Sequence, residues 1–159
     1  MDKVAHHYHQ LLTSLTQRLE QGERDIDALE ADARRRLLAS GDLTPIEVEN
    51  VTRAVRRDLE EFARSYDESR EHDDESVFLR VIKESLWQRL AEITDRTQLE
   101  WKEVFKDVSH HGVYHSGKVV GLGNLVCECC HHTLAFYTPE TLPLCPDCGF
   151  DEFHRQPFH

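Results

Sequence analysis

Cys127-Glu128-Cys129-Cys130 and, after a spacer of residues 131–144, Cys145-Pro146-Asp147-Cys148-Gly149 are the stretches whose reading decides the fold. Cys127 with Cys130 and Cys145 with Cys148 form two CxxC pairs. At this separation they are the signature of a tetrahedral four-cysteine zinc site. A two-residue spacer curls the backbone so that both sulfurs of a pair face one centre. Backbone N–H groups of the same turn can then face the thiolates. Gly149 suits the positive φ that such a knuckle often needs. The site is expected to be closed and structural, with one Zn²⁺ on Cys127, Cys130, Cys145 and Cys148; the spacing does not distinguish zinc from iron. Disulfides are the competing reading. The Met-Asp-Lys-Val start lacks an apolar signal segment, so the expected location is cytoplasmic, where thiols stay reduced. Five cysteines would also leave one unpaired. The odd one, Cys129, is expected to point away from the metal, with a swap-in ligand or a redox-sensitive thiol as alternatives.

Working outward, the 159 residues suffice for one ordinary domain or two small ones. The chain is 31% charged and 39% hydrophobic, a polar composition with a modest core. No apolar run approaches the roughly 18 residues of a membrane span, so no membrane partner is expected. The formal net charge is −11, which repels a nucleic-acid backbone unless cations are gathered locally.

Residues from about 3 to 108 read as mostly helical. Val4, Tyr8, Leu11, Leu15 and Leu19 form one apolar stripe, and Gly22 marks a break. Ile26, Leu29, Ala33 and Leu37 continue it to a cap at Gly41. Thr44-Pro45-Ile46-Glu47 is a strong start signal: threonine N-cap, proline at the first helical position and a capping-box glutamate, with Leu43 and Val48 as a hydrophobic staple. Val48, Val51, Val55, Leu59, Phe62 and Tyr66 then recur with a period near 3.5. That predicts a helix over about 44–69 with a coiled-coil-like seam, paired antiparallel with the preceding segment or across a homodimer. A further helix is expected from Val77 to Ile93. Asp95-to-Gln98 and Thr97-to-Glu100 resemble capping boxes, so another helix should restart there and carry Leu99, Trp101, Val104, Phe105 and Val108. Arg34, Arg35, Arg36, Arg53, Arg56 and Arg57 could form a patch for phosphates or an acidic partner. Glu30, Asp32, Glu49, Glu60 and Glu61 lie four residues from Arg34, Arg36, Arg53, Arg56 and Arg57, so a solvated face of weak ion pairs is the simpler expectation.

After Ser109 the pattern turns to β. Strands are predicted at 113–115, 118–120, 124–126, 133–137 and 152–155, with Gly117, Gly121 and Gly123 as turns or bulges. About 50 residues with few large apolar side chains make a poor core, and structural zinc can add on the order of 10–16 kcal/mol. The chain therefore reads as α+β: an elongated antiparallel helical hairpin or bundle over 1–110, followed by a small β zinc ribbon over 111–159. His110, His111, His115, His131 and His132 lack a recognised ligand spacing. A second metal site, or His131 or His132 replacing a sulfur, is a minor alternative.

Several stretches resemble the YbeL-like zinc-ribbon proteins of gammaproteobacteria, essentially end to end. The most specific are 22–29, 52–62, 81–87, 97–101, 111–117, Gly121-Leu-Gly-Asn-Leu-Val-Cys127 and Cys145-Pro-Asp-Cys-Gly149. The resemblance implies a helical N-terminal region, a C-terminal zinc ribbon, a cytoplasmic location and no assigned catalytic residues. It also implies a charged residue at position 129, where this chain has cysteine.

Functionally, no HExxH, P-loop or GxSxG pattern points to an enzyme. The expectation is a zinc-binding, non-enzymatic adaptor that docks on a protein or ribonucleoprotein partner. Direct nucleic-acid binding is an alternative that the acidic charge disfavours. A zinc and thiol stress switch starting at Cys129 is another.

Overall fold

Helices α1 (Lys3–Glu20), α2 (Ile26–Ser40) and α3 (Pro45–Arg70) open the chain. The computed structural model describes residues 3–70, 80, 82–83, 85–105 and 113–156. The helix boundaries follow from local chemistry. Gly22 takes φ +105° between α1 and α2. Asp25 caps α2, its side chain accepting from the Ala28 N–H at 3.1 Å, and Gly41 closes α2 in the left-handed region. The capping box before α3 forms in both directions. The Thr44 N–H donates to Glu47 Oε1 at 2.9 Å, and the Glu47 N–H donates to Thr44 Oγ1 at 3.2 Å. Leu43 and Val48 are both buried.

The predicted seam of α3, from Val48 to Tyr66, is buried throughout. It packs on both α1 and α2, because α1 presents its own stripe of Tyr8, Leu11, Leu15 and Leu19 to the same core. Full burial of a leucine such as Leu59 contributes about 1.5–3 kcal/mol, so a handful of these positions dominates the packing. The arginines behave as a paired face. Arg34 meets Glu30 and Glu49, Arg35 and Arg36 meet Asp32, Arg53 meets Glu49, and Arg56 meets Asp27, Glu30 and Glu60. Arg57 differs from expectation, since its guanidinium lies 4.5 Å from the centre of the Tyr114 ring.

The next helices depart from the predicted pattern. Ser85–Trp87 form a turn, so α4 (Gln88–Thr97) begins only at Gln88. Ser85 Oγ donates to the Ile82 carbonyl at 2.5 Å and accepts from the Trp87 N–H at 3.2 Å. A serine side chain competing in this way ends a helical path. The two expected capping boxes do not form a helix start. Asp95 lies within α4 and accepts from the Tyr66 hydroxyl, and Thr97 Oγ1 donates back to the Ile93 carbonyl. Gln98 turns left-handed, and α5 (Trp101–Val104) is a single turn. Val77, Phe78, Val81 and Val108 lie outside the described residues. Among those described, no helix is long and apolar enough to cross a membrane.

The β part contains β1 (Tyr114–His115), β2 (Val119–Val120), β3 (Gly123–Cys127), β4 (Thr133–Phe136), β5 (Glu140–Thr141) and β6 (Glu152–Gln156). Five coincide with predicted strands; β5 has no alternating pattern to betray it. An antiparallel sheet runs in the order β1-β6-β3-β4, and β2 pairs with β5. Two buried clusters meet here. Val119 and Leu122 belong to the helical core, whereas Tyr114, Val120, Leu125, Phe136, Leu142 and Phe153 surround Cys127 and Cys145. The sheet residues therefore rest partly on the helices and do not depend on their own few apolar side chains alone.

A buried polar junction holds this arrangement. Asp58 on α3 accepts from the Tyr8 hydroxyl at 2.5 Å, from the Gly121 N–H at 2.9 Å and from Arg155 Nη2 at 2.6 Å. Arg155 also donates to the Leu122 carbonyl at 2.7 Å and lies 3.7 Å from Glu61. The indole N–H of Trp87 donates to the Gly121 carbonyl at 2.8 Å. Both glycines near this junction are there for clearance. A Cβ on Gly121 would sit 2.5 Å from Tyr8 Cζ, and one on Gly123 would sit 2.8 Å from Arg155 Nε.

Candidate metal centre

Two tight turns deliver the four predicted sulfurs. The first follows β3: the His131 N–H donates to the Cys127 carbonyl at 3.0 Å, with His131 at φ +66°. The second precedes β6: the Gly149 N–H donates to the Cys145 carbonyl at 2.8 Å, with Gly149 at φ +78°. The knuckles are built alike, each closed by an N–H four residues after its first cysteine. The glycine of the second was legible in the sequence. The left-handed histidine of the first was not, because position 131 carries a side chain that usually avoids that region.

Ligand atoms of Cys127, Cys130, Cys145 and Cys148 all lie within 4.8 Å of one another. Two close approaches cross between the knuckles: Cys127 Sγ to Cys148 Sγ is 3.5 Å and Cys130 Sγ to Cys145 Sγ is 3.4 Å. Sulfurs each about 2.3 Å from one tetrahedral ion would be about 3.8 Å apart. The four sulfurs thus fit a tetrahedral metal ion with little movement, and they occupy every position of the tetrahedron. Cys127 and Cys145 are buried, while Cys130 and Cys148 are exposed, so the centre sits half in the sheet and half at its surface.

The electrostatics favour thiolate on one side of the cluster. Burial raises the Cys127 thiol, but the Cys130 and Cys129 N–H groups and the neighbouring thiols outweigh this and bring it down to about 6. The Phe150 N–H lowers Cys148, yet burial and the other three sulfurs push it up to about 12. One negative charge forms readily at Cys127, while the Cys130 and Cys148 thiols are raised, the pattern expected of neighbouring groups that cannot all ionise without a cation.

Side chains outside the sulfur set brace the knuckles. His132 Nδ1 lies 2.9 Å from Asp147 Oδ2, joining the first turn to the second. His154 Nδ1 lies 2.7 Å from Glu128 Oε1, and the Glu128 N–H donates to the Glu152 carbonyl at 3.0 Å. His131 and His132 are outside the convergent group, as are Cys129, which is exposed, and His115 on β1. Among the described residues the four cysteines are the one such group; His110 and His111 lie outside those residues. What the sequence did not reveal is the junction of Tyr8, Asp58, Gly121 and Arg155: Tyr8 reads as a stripe residue and Gly121 as a turn, while Asp58 and Arg155 carry no signal. Nothing in a single chain announces that a charged residue on an arginine-rich helix is buried.

Comparison with known proteins agrees with this geometry. A family model described as "Zinc-ribbon containing domain" matches residues 13–157. Proteins called "Uncharacterized protein YbeL" from Escherichia coli strain K12 and from Escherichia coli O157:H7 are each 66% identical over 158 residues, spanning 99% of this chain and 99% of their own length. No solved structure matches.

Proposed function

The chain belongs to this zinc-ribbon family, and from that premise we propose that it is a non-enzymatic adaptor, stabilised by one structural Zn²⁺ and docking on a protein or ribonucleoprotein partner. Convergence of Cys127, Cys130, Cys145 and Cys148 is the observation that carries the reading. Four sulfurs leave no open position for water or substrate, and a closed site is structural in character. Bound there, Zn²⁺ supplies cohesion by tying the strand that ends in Cys127 to the loop that begins at Cys145. The chain's own residues do the rest: the N–H groups of Cys129 and Cys130 offset thiolate charge, and His132 with Asp147 holds one knuckle against the other.

The helical part is read as a coiled-coil-like support that carries the ribbon in the cytoplasm and offers a surface for a partner or a second copy. Pairing of most of the exposed arginines with carboxylates supports a protein partner over nucleic acid. Elemental analysis of purified protein tests the metal: one zinc per chain is expected, and an ordered 113–156 region with no stoichiometric zinc or iron would overturn the reading. In-cell crosslinking read by mass spectrometry tests the adaptor role. A reproducible partner crosslinked through the ribbon or helices is expected, and crosslinks confined to this chain would refute it. RNA or DNA binding that weakens steeply with salt would favour the nucleic-acid alternative.

A further inference from the structure

We infer that Asp58 and Arg155, neither of them a sulfur ligand, are positioning residues that set the metal affinity of the ribbon from the helical core. This rests on the zinc reading of the four cysteines. Cys127 pairs with Phe153 across β3 and β6, and Leu125 pairs with Arg155 two residues further along. Phe153 is fully buried in the cluster that contains Cys127 and Cys145. The strand that shapes the metal centre is therefore the strand that carries Arg155 into the helices. There the side chains of Arg155 and Asp58 are 7% and 2% exposed.

Of the three groups donating to Asp58, Gly121 and Arg155 come from the ribbon and only Tyr8 from the helices. The carboxylate thus has its full set of donors, and its only ion-pair partner among them, while the ribbon is in place. A ribbon unfolded by metal loss withdraws both of these donors and leaves Asp58 with the Tyr8 hydroxyl alone and without its guanidinium partner, an unfavourable change. Binding the ion restores both donors. Two equilibria that share a component in this way are coupled, and the coupling is reciprocal. Whatever metal loss costs the helices, loosening the junction costs the metal site by the same factor. Arg155 is the link: Asp58 holds its guanidinium charged despite burial, and the ring of Tyr114, from the metal-side cluster, lies 5.1 Å beneath it.

The experiment measures zinc affinity of the full chain by competition with a chromophoric chelator at fixed pH. It compares wild type, Asp58→Asn, Arg155→Met, their double variant and Tyr8→Phe. Leu29→Ala, in α2 and away from the ribbon, controls for general loss of stability. The expected result is a loss of affinity on the order of 5- to 100-fold for Asp58→Asn and for Arg155→Met, with the double variant no worse than the weaker single one. Tyr8→Phe, which removes one hydroxyl and preserves the ring, should weaken zinc to a smaller extent and carries the test if the charge variants do not fold. Chelating zinc from the wild type should also speed amide exchange in α1 and α3 around Tyr8 and Asp58. Unchanged affinity in Asp58→Asn, Arg155→Met and Tyr8→Phe alike would overturn the inference while leaving the zinc reading intact. An equal loss in Leu29→Ala would overturn it as well. A wild type that binds no zinc would remove the zinc reading, and the inference with it.

Discussion

Gly121 shows how much a single hydrogen atom can decide. Both its backbone groups are bonded to distant side chains, the N–H to Asp58 on α3 and the carbonyl to Trp87 just before α4. The Tyr8 ring closes the remaining space. Gly121→Ala should therefore cost about 1–3 kcal/mol through overpacking, read as a lowered urea midpoint, since the ring it meets is pinned by its own hydroxyl. The two knuckles offer a matched comparison. Gly149→Ala should cost about 1 kcal/mol because its φ is left-handed. His131→Gly should leave stability within about 1 kcal/mol of wild type and zinc content unchanged, as glycine relieves the same strain while adding unfolded-state entropy. Metal loss in His131→Gly would restore histidine as a ligand candidate. The grouping of the four cysteines was legible from the spacing within each CxxC pair. The tolerance of position 131 for a left-handed backbone was not.

Among the elements, α3 was the most legible and β5 the least. The boundary of α3 is written in four consecutive residues whose side chains bond their own backbone, so nothing distant is needed to place it. Thr44→Ala should cost about 1 kcal/mol of global stability by urea denaturation, with its main effect on exchange in the first turn of α3. The stretch expected as one helix from Val77 to Ile93 is helical at Arg80, Ile82 and residues 88–93 but is interrupted at residues 85–87, because Ser85 takes backbone bonds of the turn for itself. The indole of Trp87 is then drawn to Gly121 from 34 residues away. Periodicity records which residues are apolar; it does not record such a long-range partner.

Across the whole molecule, stability should carry a signature of the buried junction in its pH dependence. Burial, and then the Asp58 charge, raise the Tyr8 hydroxyl well above its ordinary value near 10. A phenol whose folded value is raised stays neutral in the native protein after the unfolded chain has begun to ionise. Its contribution is complete below about pH 10 and is lost as pH rises from there through the folded value. Tyr8→Phe should make the alkaline fall in stability shallower by one proton, measured as urea midpoints from pH 8 to 11. Tyr114, also raised by burial, keeps the fall from vanishing. An unchanged slope would place Tyr8 in water. The sequence by itself determined the two CxxC pairs, the caps of α2 and α3 and the apolar faces, because each depends on residues within a few positions of one another. Only the tertiary structure decided that the ribbon is clamped to α3 through Asp58 and Arg155, 97 residues apart. A buried charge becomes tolerable only when its partner arrives from elsewhere in the chain, and local sequence does not encode that arrival.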